Sequence, residues 1–463
     1  MGGSQRATVR NLDEVQERSR LVGAFEQYQE AVSKQQVTDW LKGQPQFSRK
    51  GKLHAWLVIW LIIFQRLHPK GTLGVAVREM LTGGVDKCFR GKKLSQCLSA
   101  STSAYSQARS RLPLEVVEKV SDLIFESLNQ QPQTLPGWDR PMFLLDGTSI
   151  VLAHSKDSAK AYPPASNQYG VSHWPVMRVA VAHDVVSGLA TRPAWGPMYG
   201  EQATSEQGLT KTIICRLPPQ CGVMGDRNYG VFSMAYHASR QDHPCIFRLS
   251  EPRARKLNGG ITPAARTDKQ LRWLPSREDL RNNPELPADA FVEGRLLALK
   301  INLGGKRQRI YLFTTLKLTA EEILRVYGYR WNIETDLRSL KREVRLHMIH
   351  AQSPAMAEKE LVLGVAAYNL TRAAINDAAT ALQLDPRDFS FSLAQDTLNA
   401  FLPLLANAKT ERERKAIMKQ MLRVFSYSTL PKRRTRRSSP REVWPHQSSF
   451  PSRKLAKSKR SQA

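Results

Sequence analysis

The sequence predicts an α/β core that is interrupted by a β-rich insertion and flanked by helical regions at both ends. Three observations carry that expectation. Short apolar strands alternate with helix-compatible segments from Met142 to Leu249, a polar and Pro-rich stretch from Glu251 to Glu293 breaks the alternation, and helical periodicity dominates outside. The core is expected over residues 136–382 and the insertion over 251–309. Helical regions are expected over 1–135 and 383–430, the first as a DNA-binding region, with a basic tail over 431–463.

Charge bounds the partners. The chain has 69 Lys and Arg against 41 Asp and Glu, a formal charge of +28. Such an excess repels itself unless a polyanion offsets it, and DNA or RNA is the usual one. The most apolar run, Leu57 to Phe64, is far short of the roughly 20 residues that cross a bilayer. The N-terminus has no apolar signal-peptide core, so no membrane is expected and the protein reads as cytoplasmic and nucleoid-associated. The five cysteines form no CxxC pair, which argues against a zinc ribbon or a disulfide framework.

In chain order, residues 13–42 and 47–66 are helical by pattern, with Trp56 and Trp60 one turn apart as core anchors. Lys93 to Leu112 is compatible with a helix-turn-helix whose second helix starts near Ser101 and packs through Tyr105, Ala108 and Leu112. The Pro- and Gln-rich stretch Asn129 to Asp139 marks a boundary. After it, Met142 to Leu152 is apolar except near Asp146, and a carboxylate in a buried strand is costly unless paired or metal-bound. Pro175 to Trp195 reads as a hairpin in which His183 and Asp184 form the turn. A helix over Glu201 to Ile214 follows, then a strand from Cys221 to Met224 that runs out at Gly225 and Asp226. Carboxylates at strand ends are where sites in open sheets gather.

The insertion closes with a hairpin around Gly304 and Gly305. Directly after it, Thr319 to His350 reads as one long helix that opens on a Thr319–Glu322 capping box. At about 100° per residue, Tyr327, Arg330, Glu334 and Lys341 share a face with Arg338, while Asp336 lies opposite. Ala355 to Leu382 is a second long helix, and Leu393 to Leu422 holds two shorter ones. From Pro431 on, eleven Lys or Arg accompany a single Glu, the composition of a flexible arm that binds nucleic acid by charge.

Asp146 in a first strand, Asp226 at the end of a later one and Glu334 on a helix after an insertion resemble the ribonuclease H-like fold of DDE transposases. The spacing of Tyr327, Arg330, Glu334 and Lys341 is similar to the Y-R-E-K signature of the insertion sequence four family. Leu145 to Thr148 (LDGT), Gly225 to Arg227 (GDR) and Tyr368 to Arg372 (YNLTR) add to the likeness.

The resemblance implies a cut-and-paste transposase that hydrolyses DNA at element ends and then transfers the freed strands. It implies that Asp146, Asp226 and Glu334 hold two Mg ions, with Mn possible, and that Tyr327, Arg330 and Lys341 contact DNA phosphates. All-oxygen donors suit such ions on chemical grounds alone. Double-stranded DNA, as element ends and as target, is the implied partner, bound by a homodimer. In relatives that form a DNA hairpin a tryptophan of the insertion, not far before the catalytic helix, stacks on a flipped base. This sequence departs from that pattern, with no Trp from Leu274 to Tyr329 and Trp273 the one tryptophan of the insertion, so a hairpin intermediate is not implied. The alternatives are a catalytically inactive DNA-binding protein of the same fold and a nuclease without strand transfer.

Overall fold

The computed structural model describes residues 20–42, 53–86, 95, 99–130, 132, 134–168, 170–303 and 306–430. A nine-stranded mixed sheet runs in the order β2-β3-β1-β5-β6-β9-β8-β7, with β4 paired to β3 off this path. Its strands are β1 (Met142–Val151), β2 (Pro164–Asn167), β3 (Gly170–Asp184), β4 (Ala194–Pro197), β5 (Gly222–Gly225), β6 (Cys245–Leu249), β7 (Thr267–Trp273), β8 (Val292–Leu303) and β9 (Lys306–Thr314). β1 pairs antiparallel with β3 and parallel with β5, and β5 pairs parallel with β6. This is the expected ribonuclease H-like α/β arrangement with helical flanks.

Alternation along the strands sorts side chains between two layers. On β1, Phe143 and Leu145 join the cluster that holds Val223, Phe247 and Phe313, whereas Met142 and Leu144 join the one that holds Met224, Ile246 and Leu312. Both faces are buried, which is why these strands read as apolar runs.

The N-terminal helices are α1 (Ala24–Ala31), α2 (Lys34–Trp40), α3 (Ala55–Leu67), α4 (Leu73–Leu81), α5 (Ser103–Arg111) and α6 (Leu114–Leu128). A short α7 (Lys156–Ala161) follows β1, α8 (Glu206–Ile214) precedes β5, and α9 (Phe232–Arg240) precedes β6. The insertion holds α10 (Glu251–Leu257) and α11 (Arg277–Asn282). After it come α12 (Ala320–Gly328), α13 (Asn332–Arg338), α14 (Pro354–Leu382), α15 (Phe391–Asn407) and α16 (Glu411–Ser426). One apolar cluster joins α1, α3, α6, α14 and α15, so the N-terminal and C-terminal helices share a core in which Trp56 and Trp60 are buried.

Several expectations change. The Glu201–Ile214 helix begins only at Glu206, because Ser205 caps it by accepting from the Gly208 amide at 2.9 Å. The return strand expected from Leu189 is delayed to Ala194, with a single bridge between His183 and Ala190 before it. The insertion's strands continue the core sheet, since β9 pairs with β6 along Ile246 to Leu249. Trp273 is buried, 4.7 Å from Phe313 and 5.9 Å from Phe232 between ring centroids, so it packs the core instead of offering a stacking face. The Gly304–Gly305 turn, the basic tail and most of the first helix of the expected helix-turn-helix lie outside the described residues. In α5, its second helix, Tyr105 and Ala108 are buried as expected.

The long helix from Thr319 is also not continuous. A 3-10 turn at Tyr329–Trp331 separates α12 from α13, and a π turn at Ser339–Glu343 follows. The wider π turn moves Lys341 off its straight-helix phase. Arg345 then turns left-handed at φ 63°, and the His347 ring donates to the Lys341 carbonyl, so the helix ends before His347.

Candidate active site

The site grows from the pairing of β1 with β5. Phe143 lies opposite Val223 and Leu144 opposite Met224, so Asp146 and Asp226 each stand two residues beyond a paired position on adjacent parallel strands. Period-two alternation turns both toward the side of Leu144 and Met224. That side is covered by α12 and α13, through Ile323, Val326, Tyr327 and Ile333.

Asp226 accepts from the Asn228 amide at 2.8 Å, and Asp146 from the Gly147 amide at 2.8 Å. Burial pushes the Asp146 carboxyl up to about 6; the Gly147 amide pulls it down, the Glu206 and Asp226 carboxylates push it up, and Arg330 pulls it down. Two other acids therefore act on Asp146 here, and one of them, Glu206, was not expected.

Glu206 is the first residue of α8, on the other layer. It reaches β1 because Gly147 has no side chain: a Cβ there would collide with the Glu206 carboxyl group. Tyr229 Oη and Asn228 Nδ2 donate to its carboxylate at 2.8 and 2.9 Å. In sequence Glu206 is only an acid after a helix cap, so nothing local marks it.

Glu334 stands apart from these acids. Its side chain is half exposed, and Arg330 lies 3.8 Å from its carboxylate. Arg330 thus faces Glu334 while its charge also reaches Asp146. Among the described residues no three His, Cys, Asp or Glu side chains come close enough together to hold a metal ion.

The expected phosphate-contacting residues differ in surroundings. Tyr327 is buried, which pushes its hydroxyl up to about 12 against the pull of Arg330 and Arg248, and that hydroxyl has no hydrogen-bond partner among the described residues. Lys341 is half-buried and donates to Thr148 Oγ1 at 2.8 Å, which ties the helix to β1 two residues from Asp146. Arg248 of β6, also unexpected, shares this neighbourhood: burial lowers its pKa, against Tyr327, and Arg227 and Arg330 lower it further.

On its hidden side α13 is clamped. Asp336 is fully buried and takes Arg372 Nη2 and Arg387 Nη1, each at 2.6 Å. Arg372 also donates to Tyr368 Oη, which itself donates to the Gly188 carbonyl. The YNLTR segment thus fixes the helix that carries Glu334.

Residues 137–370, half of the chain, match the family model for the transposase DDE domain. The chain belongs to the DDE transposase family. Family members generally use divalent metal ions and act on DNA, so the chain is a transposase in this general sense. A search of curated proteins gives no match. Within the DDE transposase match lie Asp146, Asp226 and Glu334, and also Glu206 and Arg330. The donor chemistry suits a divalent ion: Asp146, Asp226 and Glu206 offer only oxygen, and burial first, then the Glu206 and Asp226 carboxylates, raise the Asp146 carboxyl, whose charged form a cation would stabilise. Among the described residues no helix is long and apolar enough to cross a membrane.

Proposed function

We propose that this protein is the transposase of an insertion sequence of the Y-R-E-K type, binding double-stranded element ends as a homodimer and catalysing cleavage and strand transfer. The observation that carries this reading is the placement of Asp146 and Asp226 at matching positions on adjacent parallel strands, beneath the helix that bears Glu334.

Asp146 and Asp226 would hold Mg or Mn directly, with Glu334 completing the site. Divalent ions bound there would activate the attacking water or 3′ hydroxyl and neutralise charge at the phosphodiester. Glu334 is suited to that part because its ion pair with Arg330 is long and its own side chain is half exposed, so a small side-chain movement frees it. Glu206, held by Tyr229 and Asn228, keeps Asp146 in a negative field. Arg330, Lys341 and the Tyr327 hydroxyl would take phosphates, Arg330 by two parallel hydrogen bonds and Lys341 as a point charge.

The test is incubation of the protein with DNA carrying its element's ends, in Mg. Joined products support transposition, free cuts alone indicate a nuclease, and binding without cuts indicates an inactive DNA-binding relative. Asp226→Asn is expected to bind ends and not cut them; retention of full cleavage would remove Asp226 from the site.

A further inference from the structure

Away from the acids, a cavity of about 610 Å³ opens between the end of α3, the turn into α4, α5 and the start of α14. Four cations line it, Arg66, Lys70, Arg109 and Arg345, along with His350 and a single carboxylate, Glu360. Glu360 is shared between Arg66 and Arg109. It leaves the lining strongly positive.

Two further features aim at an anion. Thr72 and Ser353, the N-caps of α4 and of the 29-residue α14, both line the cavity, and neither side chain makes a capping hydrogen bond. Helix starts of this kind present amide hydrogens and the positive end of the helix dipole. Arg109 is only 6% exposed, yet its Nε has no hydrogen-bond partner among the described residues, and the same holds for the buried Nη1 of Arg345. Arg345 stands there in a left-handed backbone at φ 63°, which a bulky residue adopts at a cost, and Arg66 holds its carbonyl at 3.3 Å. Two guanidiniums share one carboxylate, and burial of Arg66 next to Arg109 and Arg345 lowers its pKa despite Glu360.

We propose that this cavity is a phosphate-binding site that grips the DNA backbone at a distance from the cutting centre. Its volume exceeds what a bare phosphate needs and accommodates the adjoining sugar. Its position suits a continuous strand. Along β1, Asp146 is followed by Thr148, which takes Lys341, and then by Leu152, which bridges Ile349 beside His350 of the cavity. From Asp146 to Leu152 is roughly 20 Å at about 3.3 Å per residue, the axial rise of about six base pairs of B-DNA. The assignment to DNA rests on the transposase reading, whereas the phosphate chemistry does not.

The experiment uses the full chain with Lys70→Gln and Arg345→Gln together, the two cations outside the Arg66–Glu360–Arg109 pairing. Affinity for a short duplex of arbitrary sequence is measured against salt, and thermal melting against added inorganic phosphate. The double variant is expected to flatten the slope of log affinity against log salt by about two, one for each phosphate no longer neutralised. Phosphate is expected to raise the melting temperature of the wild type and not of the variant. An unchanged slope overturns the DNA assignment, and if phosphate still stabilises only the wild type, the cavity serves a free phosphate compound instead. An unchanged slope with no phosphate effect overturns the site altogether. Should the double variant melt without phosphate well below the wild type, exposed Lys70→Gln alone is read, with an expected slope change of about one. These readings do not depend on cutting, so a protein that binds in this way but never cleaves counts against the proposed function and not against the cavity.

Discussion

Glu334 and Asp336 sit two residues apart on α13 and face opposite surroundings. Asp336 is fully buried and shared by two guanidiniums at 2.6 Å. Burial opposes its ionisation, yet Arg387 and Arg372 outweigh it and hold the carboxyl below its ordinary range. Glu334 is half exposed with one distant guanidinium. The difference separates two uses of the same chemical group. A carboxylate that already has strong partners positions the helix, and one that lacks them is the one that can serve the metal site proposed above.

The contrast can be broken by neutralising each acid in turn. Glu334→Gln is expected to leave thermal melting within about 0.5 kcal/mol of the wild type, because exposed pairs contribute little. It should lower end cleavage by three to four orders of magnitude, about 4 to 5 kcal/mol, the scale of removing a metal ligand. Full cleavage by this variant would remove Glu334 from the site. Asp336→Asn should do the reverse. Leaving two buried guanidiniums without their carboxylate costs about 3 to 5 kcal/mol in denaturant unfolding. Unchanged stability would show that Arg372 and Arg387 do not depend on Asp336.

The hidden side also carries a titrating group. Burial holds the His183 imidazole down at about 4, with Asp336 and the Gly188 carbonyl raising it and Arg372 and Arg387 lowering it. The unfolded chain titrates near 6.5, so between about 4 and 6.5 the unfolded state binds more protons. Stability is therefore intact above 6.5 and lost as pH falls toward 4, by up to about 3 kcal/mol. His183→Asn should flatten the dependence of unfolding free energy on pH across that window; identical slopes would refute the assignment.

Why one side was legible from sequence and the other was not follows from range. Asp146 stands out because it interrupts an apolar strand, and Thr319 and Glu322 announce the helix through a local capping box that the structure reproduces. Helical phase alone sets Asp336 opposite Glu334, but its partners lie 36 and 51 residues further on. Glu206 was invisible because it reaches Asp146 from another layer, past a glycine whose role appears only when the strands are stacked. Trp273 is the opposite case: its place in the insertion is plain in the sequence, while the Phe313 and Phe232 rings that bury it are remote in sequence. The left-handed turn at Arg345 has no glycine or asparagine to signal it.

The smallest expected effect concerns Lys341, which belongs to both sides of the comparison. Its hydrogen bond to Thr148, two residues along β1 from Asp146, makes it a strut between the helix and β1, and its charge there suits it to a phosphate. Burial lowers its pKa, as does neighbouring Arg342, and that penalty on the charged form is one a bound phosphate would offset. Two variants separate the roles. Thr148→Val removes the strut and keeps the charge, so it should lower stability by about 1 kcal/mol and leave the salt dependence of end binding alone. Lys341→Ala removes both, and it should also flatten that salt dependence by about one. If Lys341→Ala reproduces Thr148→Val in melting and leaves the salt slope untouched, Lys341 is a strut only, and the phosphate-contacting face of the helix ends at Glu334.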